Sequence, residues 1–557
     1  MSVKSSEAAS NKTYFGWQSE KVNFMFGLTA QRSALLGLSA LAGIWPIAIT
    51  SFATALVAWP LAIVCALMAV VRIHGRTSDE WIVAAVSYQL VRLRGHHVFA
   101  GGVEAPRHQH LAAITHAETT TEATDGDTDT DVSDDEDNSG HSEDDDDKGE
   151  AEDAVAISDF TPSRGVDLPG VLAPLKILES PTANGPLGVV FHRLDRTYTA
   201  IARVRFPGIG LVDSDRRDQR VSGWGGLLAS LCTEGNPFVR VQAMQRLLPE
   251  SGAALRRWHS DHLDEAAPDI ATTVTQSLLQ TATLATSQRE AFLAFSLDAR
   301  RAASAIKTAG GGQKGALIVL GRQLRSLTSA IANADLQVET WLDPRDVGEA
   351  IRTAYDPHSG RGLADRRASC DKNNLQPGVD PGIAGPAGAQ AQPGYYAHDG
   401  AFSTTYWVYD WPRSQTFSTV LGPLLGEGAH RRGFAMHYSP LSPREAEKEV
   451  MRERTARSVA VRMRQRTGQV VPEHEQAALE RAAAQDAERA AGHGIVRFSG
   501  YLTVTVTDLE ELESACAELE ADAAAARVEI RRMWMAQDIG FAASALPLGF
   551  MPERKRW

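Results

Sequence analysis

The chain has 557 residues and a formal net charge of −13, which leaves room for about three or four domains. The charge is concentrated: residues 118–153 hold 18 acidic residues and one basic residue, and the rest of the chain is close to +4. Lys and Arg form no clustered face with aromatic residues between them, which excludes a dedicated nucleic-acid-binding domain. The four cysteines are far apart and lack metal-ligand spacing, which argues against a disulfide framework or a zinc site.

The most apolar part of the chain lies near its N-terminus. Residues 34–71 contain no charged side chain, and basic residues flank them on both sides. One helix of that length would measure about 57 Å, roughly twice the hydrocarbon core of a bilayer. We therefore predict a transmembrane hairpin at 34–72 with spans Leu35–Thr50 and Ala53–Val71. The positive-inside rule places both ends, including residues 1–33, in the cytoplasm. The alternative is a buried hydrophobic hairpin of a soluble protein.

Two segments of different character follow the hairpin. Residues 73–107 include an amphipathic pattern at Ser78–Leu93, whose Trp81 and Tyr88 suit a membrane interface. Packing of this helix on the protein body is an equally good interpretation. Residues 108–160 are rich in Thr, Asp, Glu and Ser, so they lack the apolar surface needed to offset the entropy of ordering. We predict a disordered acidic linker there.

From residue 161 onward, strand and helix patterns alternate. Residues 161–356 form a first predicted α/β module, 357–400 a Gly- and Pro-rich linker, and 401–557 a second α/β module. Each module is expected to hold an open sheet with helices on one face. The predicted fold class is an α+β membrane protein, in which the transmembrane helical hairpin precedes two cytoplasmic α/β modules.

Local helix signals support this pattern. Asp343 is followed by Pro344 and by Asp346 in the first turn, which predicts a capped helix start. Ser442 and Glu445 have the spacing of a capping box. A helix is expected to begin at each of these two places.

No sequence motif points to catalysis. The run Gly310 to Lys314 has the glycines of a phosphate-binding loop, but Gly315 stands where that loop needs Ser or Thr. A flexible turn before a helix explains the run better. No serine-hydrolase, metalloprotease or cysteine-nucleophile pattern is present, although catalytic groups can also assemble from distant positions. We expect a protein that is not an enzyme, with no catalytic residue, cofactor or metal.

The C-terminal part resembles a known domain. Over 433–549 it is similar to the N-terminal, non-catalytic domain of the ATPases that power type IV secretion and conjugation. The similarity rests on Phe434-Ala-Met-His-Tyr, on the capped helix from Ser442, and on Phe498-Ser-Gly-Tyr-Leu-Thr-Val. It continues to Ser544-Ala-Leu-Pro-Leu-Gly, after which those ATPases lead toward the motor. Only eight residues follow that motif here, so the resemblance implies a separate motor.

The chain as a whole also resembles a family of actinobacterial integral membrane proteins of type IV secretion-like gene clusters. The shared features are the basic N-terminus, the hairpin, the Tyr355-Asp-Pro turn, the strand Ser403-Thr-Thr-Tyr-Trp-Val and the ending Ala545-Leu-Pro-Leu-Gly. The resemblance implies a structural protein and supplies no catalytic residues. It covers nearly all of the chain except the acidic linker.

These observations lead to two functional hypotheses. The first is a non-enzymatic, multi-pass component of the inner (plasma) membrane that docks a separate motor ATPase of a type IV secretion or conjugation machine. The second is a structural membrane subunit of a type VII-like secretion complex. Expected partners are the motor ATPase, other membrane subunits and the lipid bilayer, without direct nucleic-acid binding. Formation of a homo-oligomer stays open, and an enzyme or membrane-bound sensor would require a polar pocket.

A partner-binding surface is expected near the C-terminus. Residues 539–550 are largely apolar, and an uncovered apolar patch commonly marks an interface. Packing of this segment on its own sheet is the equally weighted alternative. The predicted interface consists of Phe541, Leu546, Leu548, Phe550 and Trp407.

Overall fold

The structure is a computed structural model that describes most of the chain outside the acidic linker. The described residues are 14–16, 30–49, 52–70, 72–73, 76–95, 97–101, 166–183, 185–205, 213–249, 258–264, 267–282, 287–373, 376–412, 419–426, 430–466, 468 and 470–552. The linker predicted at 108–160 lies outside them.

Sixteen strands occur in the described part of the chain. They are β1 (Tyr14–Gly16), β2 (Arg72–Ile73), β3 (Arg76–Thr77), β4 (Val98–Ala100), β5 (Leu175–Thr182), β6 (Gly185–His192), β7 (Thr197–Arg205), β8 (Phe238–Pro249), β9 (Ser287–Asp298), β10 (Gln337–Trp341), β11 (Gly388–Ala391), β12 (Tyr396–His398), β13 (Ala401–Asp410), β14 (Arg431–Pro440), β15 (Ile495–Val506) and β16 (Glu529–Arg532).

The α-helices of the same residues lie between these strands. They are α1 (Ala30–Ile49), α2 (Phe52–Val70), α3 (Ser78–Leu93), α4 (Ser214–Leu231), α5 (Asp269–Ala282), α6 (Ala303–Thr308), α7 (Gly312–Asn333), α8 (Pro344–Tyr355), α9 (Ser359–Asn373), α10 (Gly422–Leu425), α11 (Pro443–Arg466), α12 (Glu473–Ala490), α13 (Leu512–Ala525) and α14 (Gln537–Ser544).

Fourteen of the strands form one sheet. Its main order is β4-β11-β12-β13-β15-β14-β8-β9-β7-β6-β5, and β1, β10 and β16 pair with β15, β7 and β13 respectively. Every pairing is antiparallel except that of β1 with β15. Among the described strands, the sheet is therefore predominantly antiparallel, unlike the parallel sheet of a doubly wound fold.

Helices cover both faces of this sheet. In β7, Ala200 and Ala202 pack into one core together with α4 and α7, whereas Ile201 packs into another core together with α8 and α14. This alternation follows from the strand geometry, which points successive side chains to opposite faces. The central strands are consequently buried on both sides.

The continuous sheet corrects part of the predicted fold class. Strand β8 comes from the first predicted module and β14 from the second, yet they pair directly from Val241–Arg246 to Gly433–Tyr438. The expectation of two open-sheet modules with helices on one face is wrong, because the long-range pairing joins them into one sheet. Within the predicted linker 357–400 the structure contains α9, β11 and β12.

The predicted transmembrane hairpin is the second correction. Helices α1 and α2 lie against each other, and Ser39 Oγ donates to the Ala62 carbonyl oxygen at 2.7 Å. Among the described residues, no helix combines the length and the apolar character that a membrane crossing needs. This finding corrects the predicted fold class at the transmembrane hairpin, and the multi-pass topology derived from the hairpin finds no support.

The local helix signals are confirmed. The Asp343 side chain accepts a hydrogen bond from the backbone N–H of Asp346 at 2.6 Å, with Pro344 in the first turn. The N–H of Ser442 donates to Glu445 Oε2 at 3.0 Å, and the N–H of Glu445 lies 3.4 Å from Ser442 Oγ, the reciprocal pair of a capping box.

Candidate functional site

The predicted C-terminal interface lies largely inside the protein. The exposed fractions of Phe541, Leu546 and Leu548 are 1%, 0% and 3%. Phe550 and Trp407 are half-buried. The expectation of an uncovered apolar segment is therefore wrong, because the sheet covers it. A role for these residues in partner binding stays a prediction.

A buried glutamine of β8 makes three of the hydrogen bonds that hold this segment on the sheet. Gln242 is 1% exposed, and its Nε2 donates to the carbonyl oxygens of Leu546 at 2.9 Å and Ala543 at 3.2 Å. Its Oε1 accepts from the N–H of Gly549 at 2.8 Å. Because the side chain satisfies three backbone groups at once, it replaces the ladder that this irregular segment cannot form.

A steric constraint explains why the segment ends with glycine. Gly549 has φ +67°, and an added Cβ would lie 2.5 Å from Ser296 Oγ and 2.9 Å from the Thr199 side chain. The Leu-Pro-Leu-Gly ending thus turns back onto β7 and β9 at a position that suits only glycine.

Phe541 lies at the centre of an aromatic cluster. Its ring centroid is 5.1 Å from that of Tyr355, 5.3 Å from that of Tyr396 and 4.6 Å from that of His398. We call these four residues the aromatic cluster. It joins the end of α8, the strand β12 and the helix α14, so three elements distant in sequence share one packing centre.

His398 also begins a chain of buried polar groups that extends from the aromatic cluster. Its Nδ1–H donates to the Tyr355 carbonyl oxygen at 2.5 Å, since that oxygen can only accept. Its Nε2 lies 2.8 Å from Ser403 Oγ, which in turn lies 2.7 Å from Thr505 Oγ1. Burial lowers the pKa of His398 to about 4, although the Tyr355 carbonyl opposes that shift. The imidazole is therefore neutral at physiological pH.

A shallow cavity opens beside the aromatic cluster. Its polar lining comes from Tyr355, Tyr396, Asp538 and His97. Burial raises the pKa of the Asp538 carboxyl, although the backbone N–H groups of Ile539 and Asp538 itself stabilise its charged form. Burial also raises the pKa of both tyrosines. The wall therefore presents two phenol hydroxyl groups, a carboxyl group and the imidazole of His97.

The other candidate sites from the sequence are also located. Gly310 and Gly311 have positive φ and precede α7, which is preceded by the short helix α6 and not by a strand. Within the described residues there is no group of three or more His, Cys, Asp or Glu side chains with metal-site geometry. All four cysteines are free thiols.

Sequence reasoning missed most of the aromatic cluster. The sequence pattern places Tyr355 only in a Tyr-Asp-Pro turn, and Tyr396 and His398 lie in a stretch of Gly, Pro and Ala that predicts a linker. The usable signal was the alternation of Tyr396 and His398, which places both on one face of a strand. Asp538 carried no signal, because its burial depends on residues more than 130 positions away.

One comparison with known proteins addresses the segment that carries this site. Residues 285–408 match a family model described as "Putative type VII ESX secretion system translocon, EccE". No curated protein matches the chain. The matched segment runs from β9 to β13 and contains Tyr355, Tyr396 and His398. The predicted type IV kinship finds no support, and in this segment the chain is similar to a family of the type VII secretion translocon.

Proposed function

We propose that the protein is a structural, non-enzymatic subunit of a type VII secretion translocon. The observation that supports this most directly is the match of residues 285–408 to the EccE family. The second hypothesis from the sequence, a type VII-like subunit, thereby replaces the type IV hypothesis as the leading one.

The position of the matched segment supports a scaffold role for the whole chain. Strand β9 from that segment pairs with β7 and β8 along its length, and β13 pairs with β15. Strands on both sides of the matched segment thus complete the same sheet. Residues outside the match are structurally inseparable from it, so we extend the proposed role to the full described fold.

The polar groups of the site favour a structural role over catalysis. A general acid or base works best with a pKa near the operating pH. His398 has its pKa lowered to about 4 and uses both ring nitrogens in hydrogen bonds within the protein. His437 has its pKa lowered to about 3 by burial. Neither histidine is suited to proton transfer at neutral pH.

The partners we propose are the other subunits of the same translocon, in a membrane-associated complex. The test is an in-frame deletion of the gene in its native host, followed by complementation. We expect the deletion to stop export of the host's type VII substrates while general secretion continues. A tagged full-length copy should restore export and co-purify with type VII components from detergent extracts.

Two results would contradict the proposal. One is normal type VII export in the deletion strain. The other is co-purification of the tagged chain with conjugation proteins in place of type VII subunits. A tagged unrelated membrane-associated protein of the same host serves as the control for carry-over.

A further inference from the structure

Helix α11 turns one face toward the protein and the opposite face toward solvent. Ala446, Val450 and Val461 are buried on the first face. Successive residues of a helix are rotated by about 100° from one another. This rotation brings a set of exposed side chains together on the second face, namely Arg444, Lys448, Met451, Arg452, Thr455, Val459, Arg462, Met463 and Arg466. We call this set the basic face of α11.

Negative charge occurs only at the N-terminal border of the basic face. Glu445 lies at one edge, where it already contacts Arg301 at 2.9 Å and Ser442 at 3.0 Å. Glu447 lies just beyond the other edge. From Lys448 to the end of the helix, the face carries four cations and no carboxylate.

The arginines on the other side of α11 have carboxylate partners. Arg454 Nη1 lies 2.6 Å from Asp486 Oδ2, and Arg464 Nη2 lies 2.7 Å from Glu475 Oε1. Both carboxylates belong to α12. The fold therefore supplies counter-ions to the arginines that α11 turns toward its neighbouring helix.

The cations of the basic face lack such partners. Arg444 lies 3.8 Å from Glu234, and their side chains are 89% and 60% exposed, so this contact is weak. Among the described residues, no ion pair involves the other four cations, which are Lys448, Arg452, Arg462 and Arg466. The basic face thus presents positive charge that the described part of the chain does not neutralise.

The chain itself contains a segment of complementary charge. Residues 118–153, which we call the acidic segment, hold 18 acidic residues and one basic residue. The described residues stop at Gly101 before this segment and resume at Val166 after it. In extended form, the connecting residues 102–117 and 154–165 would span about 50 Å and about 40 Å. Both lengths exceed the radius of gyration of about 21 Å that is typical of a fold of about 400 residues, so the segment can reach α11.

We propose that the acidic segment binds the basic face of α11 within the same chain. Individual exposed ion pairs are weak, but the connection through one chain raises the effective concentration to the millimolar range. Contact with cations also relieves the repulsion among the carboxylates of the segment. Met451, Val459 and Met463 lie between the cations and are 47%, 50% and 39% exposed, which gives the face adaptable apolar contacts as well.

Cleavage by enteropeptidase tests the contact in the full-length protein. This protease cuts after Asp-Asp-Asp-Asp-Lys, the sequence of residues 144–148 in the acidic segment. We expect the full-length protein to be cut about fivefold more slowly than a free peptide of residues 118–153, because several weak ion pairs act together. A variant that combines Lys448→Gln, Arg452→Gln, Arg462→Gln and Arg466→Gln should be cut at nearly the rate of the peptide.

Two further variants separate the basic face from charge in general. The matched control combines Lys307→Gln, Lys314→Gln, Arg322→Gln and Arg325→Gln, at exposed cations of α6 and α7. It changes the net charge equally and should be cut like the wild type. The second variant exchanges lysine and arginine at the four positions of α11, and it should stay protected because the attraction depends on charge. Thermal melts followed by circular dichroism show whether each variant is folded.

Salt provides a test without any substitution. An increase of sodium chloride from 0.1 M to 0.5 M shortens the Debye length from about 10 Å to about 4 Å. Cleavage of the wild type should therefore accelerate relative to cleavage of the free peptide in the same buffer. If the four-glutamine variant of α11 does not fold, this measurement decides: a ratio that does not change with salt overturns the proposal.

The remaining outcomes also have fixed meanings. Cleavage of the wild type at the rate of the free peptide overturns the proposal, and so does unchanged protection in the folded four-glutamine variant of α11. Equal loss of protection in the control variant overturns the assignment to α11. Protection that rises with protein concentration would place the segment on a second copy of the chain and overturn the contact within one chain. The type VII assignment does not depend on any of these results.

Discussion

At the scale of single residues, the core of this protein contains histidines that burial keeps neutral. His437 is 0% exposed, and its Nε2–H donates to the Ala543 carbonyl oxygen at 2.8 Å. Its Nδ1 is buried without a partner among the described residues. Protonation would place a charge in this apolar surrounding, which is why the pKa is lowered to about 3.

This burial predicts a specific loss of stability in acid. An unfolded histidine has a pKa of about 6.5, so between that value and about 3 the unfolded chain binds a proton that the folded chain does not. The contribution of neutral His437 to the free energy of unfolding is fully present above pH 6.5 and decreases as the pH falls toward 3. From pH 7 to pH 5 it should lower the free energy of unfolding by about 2 kcal/mol.

The change that tests this is His437→Gln, which keeps a donor for Ala543 but does not titrate. Urea unfolding at pH 7, 6 and 5 should show a stability difference between wild type and variant that shifts by about 2 kcal/mol in favour of the variant. His262→Gln, at an exposed histidine, is the control and should leave the profile unchanged. Parallel pH profiles for wild type and His437→Gln would contradict the assignment.

At the scale of elements, α14 and the turn after it pack against one face of the sheet. Phe541 fills the aromatic cluster, and Gln242 fixes the backbone that follows. The helix has only eight residues, so it is too short to be stable by itself. Its stability must come from these contacts.

Phe541→Ala should therefore destabilise the fold by about 3–5 kcal/mol, through lost apolar contacts and the cavity that remains. The denaturant midpoint of the full-length protein measures this. Leu509→Ala, at a leucine that is 43% exposed, is the control and should change stability by less than about 0.5 kcal/mol. Unchanged stability of Phe541→Ala together with loss of partner co-purification would instead support the interface predicted from the sequence.

The elements also show which features a sequence can predict. The caps at Asp343 and Ser442 were predictable because both partners lie within three residues. The burial of Phe541 was not, because Tyr355 and His398 come from more than 140 residues earlier in the chain. The pairing of β8 with β14 could not be predicted for the same reason, because the paired residues Arg246 and Gly433 are 187 positions apart in sequence.

At the scale of the whole molecule, the pairing of β8 with β14 is the decisive contact. It joins strands from the two predicted modules over six consecutive residue pairs, from Gly433–Arg246 to Tyr438–Val241. These strands lie in the interior of the sheet, with β9 and β15 as their other neighbours. Separating them would expose two long strand edges with unpaired backbone groups, a known cause of aggregation.

This contact predicts how fragments of the chain behave. Residues 161–356 and 357–557, expressed separately, should aggregate or lack a cooperative thermal transition, because each fragment would carry one of those open edges. Co-expressed, they should form a stable complex whose circular dichroism matches that of residues 161–557 expressed as one chain. Size-exclusion chromatography and thermal melts of the three samples measure this. A cooperative melt from either fragment alone would show that β8 and β14 meet as a docking surface between independent domains, as the sequence pattern of two modules suggests.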